Sequence, residues 1–355
     1  MITYDKFKQL REFSLNCIIP GFESAGLDNR FRKLKSCGEF TITKKCKDCN
    51  TYYFDGWFSC KDRFCPLCQK KKSLQYVAKL MPVLIDLADK GYYIQLLNFT
   101  IKDSGNLKFG IKTLTNAFRY MSHQNRTYSK EFNKRFVGGI KSLEIKKGAN
   151  SKEWHPHYHC IVVKKEYSND FDFLKDSWNE SVKAVTGLTG CDVKLGSVFI
   201  QGINGNNRKE LLKSVVESLK YMTKYDGEFD TKKSHTLALS SLDKDSILEL
   251  VEATENVRQL STWGLLRNFN SKEEDSEQED LQDLVKRVCL VCSSKNFNTE
   301  YLKTEEHKKI VADFSPNILV DKLKESYELQ QEQERKKKEL EEFKKIEQIC
   351  FEDLL

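Results

Sequence analysis

Proline and glycine are sparse, at 5 and 17 in 355 residues. This excludes collagen-like and linker-dominated chains, which need far more of both. Long apolar runs are missing too: none approaches the ~20 residues that a membrane-spanning helix requires. The opening stretch Met1-Ile2-Thr3-Tyr4-Asp5-Lys6 has no apolar core of an export signal. The expectation is therefore a cytoplasmic protein without a membrane partner. Histidine is rare as well, with six in all, so three within five residues stand out.

Charge and cysteine are abundant. Asp, Glu, Lys and Arg make up 31% of the chain, with a net charge of +7. The sum hides an asymmetry. From Ser271 onward 15 basic residues oppose 22 acidic ones, whereas the preceding 270 residues carry 44 basic and 30 acidic. A basic body with an acidic tail points to a polyanionic partner, nucleic acid first. Twelve cysteines without an export signal favour metal binding over disulfides. Cys46-x₂-Cys49, fifteen residues, then Cys65-x₂-Cys68 is the spacing of two zinc knuckles. It predicts a structural Zn²⁺ site, with Cys37 and Cys60 as spares able to replace one ligand or serve a second metal. Arg63 and Lys70-Lys71-Lys72, with Tyr52, Tyr53 and Trp57 between the knuckles, suit DNA contact through phosphates and stacking. Cys289-x₂-Cys292 is a lone knuckle and carries no assignment by itself.

Length and composition divide the chain into a helical N-terminal segment (1–36), a cysteine-rich region with a following helix (37–90), a central domain (91–270) and an acidic linker with a charged helical tail (271–355). Apolar spacing predicts helices at 4–15, 70–90, 107–121, 170–185 and 209–224. Strands are predicted at 92–101, 136–145, 155–163 and 193–200, with 136–145 and 155–163 forming an antiparallel hairpin. Strands alternating with helices in this order predict an α+β fold, an antiparallel central sheet covered by helices.

Residues two apart on a strand share a face. In Trp154-His155-Pro156-His157-Tyr158-His159 this puts His157 and His159 side by side, a half-site for a divalent metal. His155 has the same parity but precedes Pro156, so it is a further ligand candidate, an outer partner or a DNA contact. Glu144, on the neighbouring strand of the hairpin, is the candidate third ligand. Two histidines and one carboxylate leave coordination positions open, as a catalytic metal needs, and suit Mg²⁺ or Mn²⁺ polarising a phosphate oxygen. Downstream, Glu217, Tyr221 and Tyr225 are spaced to share one helical face, beside Lys220 and Lys224. A phenol, with a pKa near ~10, attacks at neutral pH only with such cationic help.

These motifs resemble those of the HUH endonucleases, and most nearly the plasmid rolling-circle replication initiators of the single-tyrosine, glutamate-assisted type. The three family motifs occur in order: Leu96–Ile101, the histidine strand His155–His159, and Glu217-Ser218-Leu219-Lys220-Tyr221. The cysteine run Cys60–Cys68 and the segment Arg258–Gly264 resemble flanking family features, so the resemblance spans Cys37 to Phe269. It implies nicking of single-stranded or supercoiled origin DNA, with Tyr221 joined to the 5′ phosphate and a 3′-OH left to prime synthesis. It also implies that Glu217 activates water at termination, and that a host helicase and polymerase are partners. Tyr225 leaves open the two-tyrosine arrangement of phage-type initiators. An HUH-type transposase and a non-catalytic zinc-ribbon DNA-binding regulator are the alternative readings.

Overall fold

A computed structural model describes residues 2–124, 126–168, 170–187, 196–203, 211–215, 236–237, 239–267, 289, 291–292, 294–304 and 310–313. The helices are α1 (Tyr4–Phe13), α2 (Ile19–Ser24), α3 (Asp28–Ser36), α4 (Pro66–Asp89), α5 (Leu107–Arg119), α6 (Arg126–Arg135), α7 (Phe171–Thr186), α8 (211–215) and α9 (Lys244–Ala253). The strands are β1 (Phe40–Cys46), β2 (Tyr52–Trp57), β3 (Tyr93–Ile101), β4 (Gly138–Gly148), β5 (Trp154–Lys164), β6 (Gly196–Ile203), β7 (Thr236–Leu237), β8 (Leu260–Gly264), β9 (Phe297–Lys303) and β10 (Ile310–Asp313). Two compact units result. One joins Thr41–Gly56 to Glu279–Leu355, and the other comprises Ile2–Phe40 and Trp57–Gln278.

The smaller unit carries a four-stranded sheet of order β10-β2-β1-β9, in which β10 runs parallel to β2. None of its strands was expected from the sequence. The larger unit is built on the sheet β6-β3-β5-β4-β7, with β8 also pairing β4, and every pairing there is antiparallel. This is the expected α+β architecture. The region expected to be an acidic linker and charged helical tail (271–355) instead carries strands β9 and β10 where it is described, and its remaining residues lie outside the described ones.

Strand β5 sits at the centre and is buried on both faces almost throughout, which is why its apolar run has no simple alternation. On one face Phe99, Tyr158 and Trp263 pack around Phe118 of α5, and Phe99 also meets Trp178 of α7. On the other, Ile140, Ile161 and Val163 form one cluster with Leu80 and Leu84 of α4 and with Leu211 and Val215 of α8. Pro156 does not interrupt β5. It pairs Ile145 on β4 but lies one residue beyond the last β3 pair, Thr100 with His157, where the ladder on that side has ended. The start of β5 is anchored by Trp154, whose indole N–H donates to Glu249 of α9 at 2.7 Å.

Gly139 on β4 faces the Trp263 ring of β8. A Cβ there would stand 2.4 Å from the ring and 2.8 Å from the Ile161 carbonyl oxygen. Gly139→Ala is therefore expected to lower stability by about 1–3 kcal/mol through overpacking. Urea unfolding checks this, and an unchanged midpoint would contradict the packing described.

Candidate metal centres and nuclease site

The β4–β5 register puts Glu144 directly across from His157 and Ser142 across from His159. Period-2 alternation turns Glu144, His157 and His159 to one face. All three are buried, at 4%, 5% and 9% exposure. Glu144 Oε2 lies 2.6 Å from His157 Nε2 and 2.7 Å from His159 Nε2. His157 Nδ1 donates to the carbonyl oxygen of His155 at 3.2 Å, which fixes the ring with Nε2 turned toward Glu144. The three ligand atoms lie within 4.8 Å of one another.

Burial raises the Glu144 pKa, but hydrogen bonds to His157 and His159, and then the charge of Lys146 3.4 Å away, outweigh it. The carboxyl is held well below the usual range. Burial lowers the His159 pKa, against the pull of Glu144, and so favours a neutral imidazole. A buried carboxylate between two converging imidazole nitrogens is a donor set that a divalent cation fits. The sequence placed these three residues together, and the structure does the same. His155 stands apart: its Nδ1 engages Asp103, and its ring centroid is 5.2 Å from that of His157. Asp103 and Lys146 were not singled out from the sequence, and their residue types gave no signal.

The cysteines depart from the expected grouping. Cys46 and Cys49 do not join Cys65 and Cys68. They gather with Cys289 and Cys292, while Cys65 and Cys68 gather with Cys37 and Cys60. In the first group Cys46–Cys292 is 3.5 Å and Cys49–Cys289 3.4 Å, joining residues about 240 positions apart. In the second, Cys37–Cys68 is 3.5 Å, Cys60–Cys68 3.7 Å and Cys37–Cys65 3.4 Å. A zinc tetrahedron with ~2.3 Å Zn–S bonds has S–S edges of ~3.8 Å, so both sets fit Zn²⁺. They are far too long for disulfides, at ~2.0 Å.

The cause lies in the local elements. Cys46 closes β1 and Cys49 lies in the turn before β2, whereas Cys65 and Cys68 begin α4, and Cys37 caps α3. Cys289 also accepts from the Tyr53 hydroxyl at 3.1 Å. Burial raises its pKa, but the Tyr53 hydroxyl and the backbone N–H groups of Cys292 and Val291 bring it down to about 6, favouring the thiolate that zinc binds.

Three of the four expected DNA-contact cations have partners within the protein. Arg63 is tied to the Thr254 carbonyl, Lys71 lies over the Trp57 ring and Lys72 over Tyr76. Lys70 is half-buried on α4. Tyr53 and Trp57 are buried, so neither offers a ring for stacking. Glu217, Lys220, Tyr221, Lys224 and Tyr225 lie outside the described residues.

The sequence model of one family, described as "Replication protein", matches residues 53–308. Among curated proteins, a "Protein rep" of Lactiplantibacillus plantarum is 26% identical over 270 residues, covering 71% of this chain and 78% of the relative. A "Protein rep" of Staphylococcus aureus is 30% identical over 186 residues, covering 50% and 75%. One from Streptococcus pneumoniae is 21% identical over 263 residues, covering 70% and 73%. No solved structure matches.

The thiol geometry predicts two zinc ions per chain. Cys289→Ser and Cys60→Ser should each lose one of them and keep the other, as measured by mass spectrometry under native conditions. A single zinc lost by both Cys46→Ser and Cys65→Ser would restore the one-site arrangement read from spacing.

Proposed function

The chain belongs to the replication protein family, and on that premise we propose that it is a plasmid rolling-circle initiator, a site-specific nickase of the HUH type. The observation that carries this reading is the Glu144 carboxylate oxygen held between the Nε2 atoms of His157 and His159. A divalent cation held by these three residues, Mg²⁺ or Mn²⁺, would polarise a non-bridging phosphate oxygen and take up charge developing on it.

The chain's own residues do the rest. The Tyr221 hydroxyl attacks the scissile phosphorus, forming a P–O bond to tyrosine and breaking the bond to the 3′ oxygen. Lys220 and Lys224 favour the phenolate, its proton passes to solvent, and the departing 3′ oxygen takes up a proton to become the primer. At termination Glu217 draws a proton from a water molecule that attacks the linked phosphorus, breaking its bond to the Tyr221 oxygen, which takes up a proton as the chain is released. A host helicase and polymerase use the exposed strand and primer.

The sheet face supports this assignment. Leu211 and Val215 pack in one cluster with Ile140 and Ile161, which share the triad's face of β4 and β5. Tyr221 is six residues beyond Val215, a chain span of at most ~20 Å.

The test incubates full-length, zinc-loaded protein with Mn²⁺ and a supercoiled plasmid carrying its origin, and then traps covalent adducts. The wild type should nick one strand and become linked to DNA. Tyr221→Phe should abolish the adduct, lowering its yield by at least a hundredfold, and Tyr225→Phe should keep it. An adduct that survives Tyr221→Phe and disappears with Tyr225→Phe would move the nucleophile. No cleavage, with sequence-specific duplex binding, would make the protein a zinc-ribbon regulator.

A further inference from the structure

Beside the cradle, β3 and β6 carry side chains that the nicking chemistry does not use. Register aligns Phe199 of β6 with Asn98 of β3 and His159 of β5 in one row across the sheet. The next row aligns Ser197, Thr100, His157 and Glu144. All of these point to the face that holds the triad. Along β6 the exposed residues on this face are Ser197, Phe199 and Gln201, while Val198 and Ile200 on the other face are half-buried. Asn98 and Thr100 are half-exposed beside them. Thr100 and Ser197 join hydroxyls at 2.7 Å.

Phe199 is 54% exposed on this strip. Among the described residues β6 pairs with β3 alone, and an apolar ring at that exposure on such an edge strand invites unwanted pairing. Its row neighbours are an amide and a metal-cradle imidazole rather than apolar side chains, so it does not extend the core. It lies two strands from His159, about 10 Å at ~4.8 Å per strand, a separation of nucleotide size. An aromatic on an open sheet face with amides and hydroxyls around it is the arrangement on which single-stranded nucleic acid stacks its bases.

We propose that Phe199 is a stacking platform for a base of the single strand next to the scissile phosphate, with Asn98, Gln201 and the Thr100–Ser197 pair lining the same strip. The proposal rests on the nickase reading for its choice of ligand. It adds a binding residue outside the three family motifs. Any base has a face to stack, so Phe199 would contribute affinity and position while leaving sequence choice to its polar neighbours.

The test uses the full-length, zinc-loaded protein and a fluorescein-labelled single strand of the origin, with 2-aminopurine substituted at successive positions. Fluorescence anisotropy gives affinity, and quenching of 2-aminopurine locates stacking. Phe199→Ala should weaken single-strand binding on the order of tenfold to a hundredfold and relieve quenching at one position. Phe199→Trp should restore both. The half-saturating DNA concentration for nicking should rise in Phe199→Ala by the same factor. Equal affinity and equal quenching in wild type and Phe199→Ala would overturn the proposal. So would a wild-type dimer that Phe199→Ala converts to monomer at unchanged DNA affinity, since the strip would then be a self-association face. If the wild type binds the strand but never cleaves it, the nickase reading fails, and anisotropy still decides the role of Phe199.

Discussion

One carboxylate oxygen, shared by two imidazole nitrogens inside a sheet, is the constraint from which the functional reading of this protein follows. Removing Glu144, His157 and His159 from water is costly for the charged carboxylate unless its partners compensate. The partners are two histidines whose Nε2 atoms converge on the same oxygen. This convergence satisfies the buried charge and presents two nitrogens and a carboxylate to one point. A cradle of this type needs rigid support, which the central strands give. Slipping β5 by one residue against β4 would move every histidine to the opposite face.

The surrounding packing fixes that register. Trp154 holds the start of β5 through Glu249, and the Phe118 cluster fills one side of the sheet while the α4 cluster fills the other. The two cysteine groups act at a different level. Each brings together thiols from separate segments, and the Cys46–Cys292 group joins the β1–β2 hairpin to residues about 240 positions away. The charge asymmetry of the chain fits a nucleic-acid ligand for the same reason it fits the family match. A basic body draws phosphate by long-range attraction before any short-range contact is made.

How much was legible follows from what kind of information local sequence carries. Period-2 alternation put His157 and His159 on one face, and the apolar neighbours of Glu144 placed it on the adjoining strand; register brings the three together. The helix over α4 and the strand β3 emerged within a few residues of their bounds, because their apolar spacing is continuous. The cysteine partners were not legible. Spacing identifies a knuckle but not which other knuckle completes it, and Cys37 and Cys60 contribute single thiols with no doublet to mark them. Strands β9 and β10 were missed because they pair with residues far away in the chain, where no local periodicity reports the partner. Phe199 looked like any strand aromatic until the register put it in the row of His159.

The most direct test of the central claim is titration of Mn²⁺ into the zinc-loaded protein, followed by electron paramagnetic resonance. The account predicts one Mn²⁺ site per chain, weakened at least tenfold by Glu144→Gln and by His159→Ala while both zinc ions stay bound. Glu144→Gln and His159→Ala proteins that bind Mn²⁺ as the wild type does would contradict it.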